Sequence, residues 1–578
     1  MKPAAYTDVT LLDGPMLDQF RAQHATLLAM DDDALLKPFR AAAGLPAPGD
    51  DLGGWYNRAA DFNPPADMHG FIPGHSFGQY VSALARAHAI TGDSASRQKV
   101  QRLVAGFSAT IVPTIGQDFY TGYPLPAYTF DKIAIGLIDA HSFAADSQAL
   151  RVLDHATDAA LPHLPEKALT RPEMAARPHP NMAFTWDESY TLPENLYLAW
   201  RRGAGERYRT LAARFLLDED YFEPLARGEN VLAGRHAYSH VNALSSAMQA
   251  YLVAGNPRYL QAARNGFDFV LEQSFATGGW GPNEAFVVEA SGALGDSLNT
   301  THASFETPCG AYGHFKAARY LLCATGDPRY GDSMERVLYN TVLGALPMKP
   351  DGTAFYYADY NGNGAKTYFE YKCPCCSGTL GQVTADYAIS TYFLNPRGVV
   401  VNLYTPSRLT WRHDSGTVTL QQATAYPLDS TIDISVGVAT SQTFSITLRI
   451  PAWAGAATAL SLNGKRVAQP IVAGTFHEIR RAWRDGDRIT LELDRPVRLE
   501  AVDRKHPDLL AVLQGPLALF AVGERFLPLT RHDLLSVRQT ATRSTQWSTN
   551  TPDGTQLLQP YFAIGPATTT RLYQPVYA

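Results

Sequence analysis

Three cysteines crowd into four positions, in Lys372-Cys373-Pro374-Cys375-Cys376-Ser377-Gly378, out of only five in 578 residues. That is too few for a disulfide framework, and the clustering reads as chemistry rather than packing. A second informative segment, Phe305-Glu306-Thr307-Pro308-Cys309-Gly310, lies upstream and leads into a helical pattern. Thiolates and a carboxylate arriving from separated segments suit the tetrahedral shell that Zn²⁺ prefers. Glu306 and Cys309 are spaced i, i+3 and share a face if they begin a helix. Cys375 and Cys376 are adjacent, so an extended strand sends them to opposite sides, whereas a tight turn supplied by Ser377-Gly378 lets both face one ligand. Cys323, inside Tyr320-Leu321-Leu322-Cys323, reads as a buried packing thiol.

Large elements must hold these segments together. The chain is 46% hydrophobic and 18% charged, which is enough apolar material for a sizeable core. Its 49 basic and 55 acidic residues give a net charge of −6 with no long like-charge run, so nothing marks a nucleic-acid binder. No apolar stretch is long enough to cross a bilayer. The opening MKPAAYTDVTLLDGP has no basic and then apolar signal-peptide pattern. Reactive thiols fit a reducing cytoplasm, while zinc protection would permit a periplasmic or secreted life, so the compartment stays open.

Up to about residue 393 the apolar spacing is mostly helical, as in Val241, Leu244, Met248 and Leu252. Related helix-stop marks recur at Gly92, Gly205, Gly255 and Gly326, with a weaker one at Ala145-Asp146. Each interval is about two helices with their loops, which predicts repeated helical hairpins closing into a toroid of about six; an open solenoid is the alternative. After Asn395-Pro396-Arg397-Gly398 the period becomes two: Phe444, Ile446, Leu448 and Ile450 alternate with polar residues, and Asn463-Gly464 marks a hairpin. The expected organisation is a helical catalytic domain over 1–398, a β-sandwich over 399–500 and a second, smaller β unit over 501–578. The first dozen residues, through Val9-Thr10-Leu11-Leu12, are expected to pair with this C-terminal β region.

The run FETPCGAYGHFKAARYLLCATGDPRYGDSMERVLYN from Phe305 to Asn340, followed by CPCCSG, resembles the β-L-arabinofuranosidase family of glycoside hydrolases (families 127 and 146). LLDGP at 11–15, GHSFGQY at 74–80, NEAF at 283–286 and Arg449-Ile450-Pro451-Ala452-Trp453 extend the resemblance to about residue 520. It implies an (α/α)6 barrel followed by β-sandwich domains, and a retaining mechanism at a zinc-thiolate centre. Position by position, it puts the nucleophile on Cys375, the Zn²⁺ ligands on Glu306, Cys309, Cys375 and Cys376, and the acid/base on Glu284, with Glu289 as its rival. The family's usual Glu-x-Cys spacing is here Glu306-Thr307-Pro308-Cys309, one residue longer.

His240 is the foremost substrate-binding candidate, with a satisfied helix histidine as the bland reading. His75, Trp186, Asp187 and Glu194 are also assigned to sugar binding; Asp187 equally suits a helix cap. Asp131 stands where some family members carry histidine, which leaves the exact sugar open. The implied partner is an arabinofuranoside-bearing glycan, and homodimerisation stays open. Two other classes remain: a polysaccharide lyase or unsaturated-uronide hydrolase on the same barrel, and a non-catalytic glycan-binding protein with structural zinc.

Overall fold

Helices buried all round alternate along the chain with helices that bury one stripe, and this alternation builds the architecture. In the computed structural model, which describes residues 1–63, 66–111, 118–176, 191–413 and 416–577, every residue from Phe77 to Ala87 is buried. The helix Ala149–Ala160 instead buries Ala149, Val152, Leu153, Ala156, Thr157 and Ala160 along a single stripe. The first kind forms an inner ring: Phe77–Thr91, Pro126–Phe143, Leu192–Arg201, Ala237–Ala254, Thr307–Thr325 and Cys375–Thr391. Each packs on the next and the last packs on the first, so the ring closes. Ser94–Ile111, Ala149–Ala160, Glu206–Arg214, Pro257–Glu272 and Arg329–Asn340 lie outside, each against the inner helix that precedes it. The sixth outer place is taken by Pro15–Ala29, which packs on the Cys375 helix. The fold is an (α/α)6 barrel, not an open solenoid.

Three inner helices end on a left-handed glycine, Gly92, Gly255 and Gly326, before the chain turns to its outer partner. Gly205 does different work, standing just ahead of the outer helix Glu206–Arg214. At Gly78 two inner helices nearly touch: a Cβ there would sit 1.8 Å from the Lys132 carbonyl oxygen. Of the stripe expected on the Ala237 helix, Val241, Leu244 and Met248 are buried, whereas Leu252 is 47% exposed because it lies in the last turn, beyond the ring's packing. Since inner and outer helices alternate in direction, all six inner helices run the same way, and their N-terminal ends gather at one mouth.

Beyond Thr391 the chain becomes β. A five-stranded sheet and a seven-stranded sheet face each other, with Trp411 of one against Phe444 of the other at a ring separation of 5.6 Å. The strand Tyr392–Asn395 already belongs to the first sheet. The N-terminal segment adds an edge to each sheet: Lys2–Pro3 pairs with Tyr392–Asn395, and Val9–Leu11 pairs antiparallel with Ser407–His413. A third, ten-stranded sheet takes in Val497–Ala501 and the remaining C-terminal strands. It reaches back to the barrel, where Thr569–Arg571 pairs with Gly364–Ala365.

The Arg449-Ile450-Pro451-Ala452-Trp453 run fastens the sandwich to the barrel. Arg449 is fully buried, pairing with Glu335 at 2.7 Å and with Asp332, both on the outer helix Arg329–Asn340. Trp453 Nε1 and the Tyr426 hydroxyl also donate to Glu335, at 3.1 and 2.6 Å, and the Ala452 amide donates to Asp332. Burial holds the Asp332 carboxyl up at about 6 despite the arginine. Removing one member of such a buried group strands the other charges. Arg449→Met is therefore expected to lower stability by about 3–5 kcal/mol, read as a lower urea midpoint, with part of the loss recovered when Glu335→Gln is added.

Candidate active site

At the mouth of the barrel, two inner helices begin on the residues that carry the chemistry. Cys375 and Cys376 are the first two residues of their helix, with Pro374 as N-cap, so a helix start rather than the expected Ser377-Gly378 turn aims both thiols at one point. Glu306 ends a two-residue strand, Phe305–Glu306, that pairs with Tyr357–Ala358, and it then caps the helix Thr307–Thr325. Because Glu306 stands outside the helix and Cys309 within its first turn, the extra residue of the Glu-x-x-Cys spacing is absorbed and the two side chains still meet.

The ligand atoms of Glu306, Cys309, Cys375 and Cys376 all lie within 4.8 Å of one another, and all four residues are buried. Glu306 Oε1 is 3.2 Å from Cys375 Sγ and 3.7 Å from Cys376 Sγ. Donors about 2.0–2.3 Å from one tetrahedral ion stand roughly 3.3–3.8 Å apart. Glu306 Oε2 is buried and has no hydrogen-bond partner among the described residues. Spacing, burial and the soft three-sulfur donor set thus all fit a thiophilic metal ion.

Electrostatics single out one sulfur. Burial opposes a thiolate at Cys375, yet hydrogen bonds from Cys309 and Cys376 and a hydrogen bond with Glu306 bring its thiol well below the ordinary range. Burial, with the Cys375 charge next to them, pushes Glu306, Cys309 and Cys376 up. Without a metal, the group thus gathers its negative charge on Cys375. Cys373 does not join: its amide donates to the Gly352 carbonyl at 2.7 Å, its sulfur packs on Gly352, and burial raises its thiol to about 12.

Glu284 reaches the same place from a different loop. Backbone bonds from Phe286 N–H to Arg235 O (3.0 Å) and from Gly234 N–H to Phe286 O (2.8 Å) tie this loop to the start of the helix Ala237–Ala254. Asn283 and Glu284 both adopt positive φ, 53° and 59°, a strained run held by these ties. The Tyr357 hydroxyl donates to Glu284 Oε1. Glu284 Oε2 lies 3.3 Å from His236 Nε2, which in turn is 3.8 Å from Glu306 Oε2. Neither of these two contacts is a hydrogen bond. Glu289 is exposed and accepts from Asn230 Nδ2 at 3.1 Å, outside this group.

The substrate candidates divide. His75 is buried beside the cluster, its Nδ1 bonded to Ile72 O at 2.7 Å and its Nε2 to Ser76 Oγ at 2.8 Å; burial lowers it to about 4, so it is neutral at ordinary pH. His240 is buried one turn below His236, its Nδ1 on the His236 carbonyl at 2.9 Å and its ring against Tyr221. Its Nε2 is buried and has no hydrogen-bond partner among the described residues. Trp186 and Asp187 lie outside the described residues. Glu194 lies deeper, paired with Lys316 and accepting from the Tyr320 hydroxyl at 3.0 Å, along a separate cavity. Asp131 is also engaged, accepting from Thr191 and, at 2.6 Å, from Asn195.

Sequence reasoning missed His236, Tyr356 and Tyr357. Tyr356 places its hydroxyl 3.7 Å from Cys375 Sγ and stacks on Phe369 at 4.4 Å, with Trp55 at 5.9 Å, forming an aromatic wall. His236 stands four residues before His240 and carried an equal signal, but only the start of the helix decides which of the two faces the mouth.

An aromatic-walled mouth on an (α/α)6 barrel, with carboxylates and a thiolate converging in it, is the architecture of a carbohydrate-active enzyme. Residues 8–388 match the catalytic-domain model of the GH127 β-L-arabinofuranosidases, and residues 398–495 match the GH127 middle domain. The chain belongs to this family of glycoside hydrolases. A non-reducing end β-L-arabinofuranosidase of Bifidobacterium longum subsp. longum is 26% identical over 223 residues, 35% of this chain. That match spans 33% of the relative's length. Among solved structures, a GH127 β-arabinofuranosidase superposes with a TM-score of 0.74 at 19% identity, covering 100% of this chain and 98% of the other. A GH127 β-L-arabinofuranosidase from Geobacillus stearothermophilus T6 gives 0.73 at 17% identity, covering 99% and 100%. At these identities the superpositions speak for the fold.

The separation of Cys373 from the other thiols makes a direct prediction. Cys373→Ala is expected to bind as much Zn²⁺ or Co²⁺ as the parent protein, whereas Cys309→Ala and Cys376→Ala lose most of it, measured as metal retained after gel filtration. Equal loss in all three would break the assignment.

Proposed function

We propose that the protein is a retaining, exo-acting glycoside hydrolase that releases L-arabinofuranose from β-linked glycans, with Cys375 as nucleophile and Glu284 as acid/base. The observation that carries this reading is the convergence of a buried, charge-bearing thiol and a carboxylate on the shared group Glu306. Adjacent tyrosines, Tyr356 and Tyr357, contact one partner each. Glu306, Cys309, Cys375 and Cys376 would hold zinc. When bound, the ion would keep the thiols deprotonated at neutral pH and out of disulfides.

In the first step Cys375 Sγ attacks the anomeric carbon while Glu284 gives its proton to the departing glycosidic oxygen; the C–O bond breaks as the C–S bond forms. In the second, Glu284 takes a proton from water, the water oxygen attacks the same carbon, and the C–S bond breaks to restore the thiolate. Two displacements at one carbon give net retention. Tyr357 fixes the Glu284 carboxyl in the rotamer that this double duty needs, and the aromatic wall of Trp55, Tyr356 and Phe369 offers a dry face for the sugar ring. Exo action agrees with the wording of the Bifidobacterium relative.

The test is hydrolysis of 4-nitrophenyl β-L-arabinofuranoside and its α-linked isomer by reduced, zinc-replete protein. Turnover of the β-anomer alone is expected, abolished in Cys375→Ala. Glu284→Gln should lower kcat/KM by about 10²–10⁴-fold, with azide restoring release of the aryl group and giving a product of retained configuration. Wild-type turnover by Cys375→Ala would rule out the sulfur nucleophile. Loss of the β-linked activity on removal of the metal with a chelator, and its return with Zn²⁺ alone, is the matching expectation for the cofactor.

A further inference from the structure

Glu306 turns one oxygen toward the thiols and the other away from them. Oε1 faces Cys375 and Cys376, while Oε2 faces His236 Nε2 at 3.8 Å. On that far side His236 Nε2 also stands 3.3 Å from Glu284 Oε2, and these three atoms lie within 4.8 Å of one another. The carboxylate oxygens of Glu284 and Glu306 there are buried and accept no hydrogen bond among the described residues. Glu306 is only 3% exposed. We propose that His236, Glu284 and Glu306 form a second divalent-cation site, adjacent to the thiolate site and sharing Glu306 with it, whose occupation inhibits the enzyme.

Three arguments support it. Nitrogen and oxygen donors about 2.0–2.2 Å from one tetrahedral ion stand roughly 3.3–3.6 Å apart, and the His236 separations bracket that spacing. An imidazole with two carboxylates is a donor set that Zn²⁺, Co²⁺ and Mn²⁺ all accept. Charge acts in the same direction: three thiolates and a carboxylate around a divalent ion leave a net charge of about −2, and Glu284 adds to it. A further cation near that charge, in a site nearly closed to water, is strongly attracted. The inhibitory consequence, unlike the binding itself, rests on the proposed acid/base role of Glu284. A cation there takes the carboxylate that must give and accept the proton, and occupies space the sugar needs.

The probe is Co²⁺ added to the reduced apoprotein, followed in parallel by absorbance and by calorimetry, and then Zn²⁺ added in excess to the one-metal enzyme. The first equivalent is expected to raise the near-ultraviolet thiolate-to-cobalt band; a second, weaker equivalent should bind without adding to it. His236→Asn and Glu284→Gln should each keep the first equivalent and lose the second. Excess Zn²⁺ should raise KM for the aryl arabinofuranoside with kcat unchanged in the parent, and much less so in His236→Asn. The inference is overturned if the one-metal enzyme takes up no further cation, or if both variants still bind the second equivalent, which would place it at a surface pair such as His302 and Asp359. Absence of the thiolate band at every equivalent would instead sink the metal reading of the Cys/Glu group, while the second site would still be judged by whether the two variants lose a bound ion.

Discussion

The rest of the active site answers to one difficulty: four acids, Glu306, Cys309, Cys375 and Cys376, are buried against each other at a place where water cannot share their charge. Taking several such groups out of solvent is tolerable only if most stay neutral or a cation sits among them. The barrel meets this in two ways. It crowds the four ligand atoms into a volume the size of one metal coordination shell. It also sets them at the starts of the inner helices Thr307–Thr325 and Cys375–Thr391, where unpaired backbone N–H groups and the helix dipole favour negative charge. An inner ring running in a single direction is what makes this available from several segments at once.

The walls of that site depend on parts of the chain far away in sequence. The C-terminal sheet grips both flanks. On the Glu284 side, Asp503 accepts from the Gly295 amide at 2.8 Å and Lys505 donates to the Ser291 carbonyl at 2.9 Å, fixing the helix Ala293–Thr300 that follows the Glu284 loop. On the Tyr357 side, the pairing of Gly364–Ala365 with Thr569–Arg571 is locked by Lys366, whose ammonium donates to the carbonyls of Tyr561 and Ile564 at 2.6 and 2.8 Å. Burial brings that lysine down to about 7. The third sheet therefore works as a buttress for the loops that carry Glu284 and Tyr357.

Much of this was legible in the sequence, for reasons of period and chemistry. Hairpin punctuation at Gly92, Gly255 and Gly326 foretold the ring because a helix that ends on a left-handed residue nearly demands glycine. The switch to period two foretold the sandwich, and Glu306, Cys309, Cys375 and Cys376 stood out because clustered thiols have few other uses. Less legible were residues whose role is set by a tertiary approach. His236 caps the helix that holds His240 and shares its residue type, and the strand-like tie between residues 234–236 and 285–286 is what turns His236 to the mouth. Tyr357 gains its place from a two-residue pairing with Phe305–Glu306 that no periodicity reveals. Glu194 meets Lys316, a partner on the helix Thr307–Thr325 that no spacing in the sequence reveals.

That deeper region shows why the chemistry sits at one end. Inside the ring of inner helices, Arg86 bonds Asp139 at 2.9 Å and Asp386 at 3.0 Å, Arg319 bonds Asp386 at 2.8 Å, and Lys316 pairs with Glu194. The Tyr6 hydroxyl, from the N-terminal segment, donates to Asp386 at 2.6 Å and helps close the axis. The ionised groups here are matched to one another, so a ligand entering would have to break existing pairs to make its own. At the mouth, by contrast, Glu284 Oε2 and Glu306 Oε2 are buried and accept no hydrogen bond among the described residues. Polar capacity left open in a dry site is costly to the fold, and it is retained where a substrate or an ion can use it.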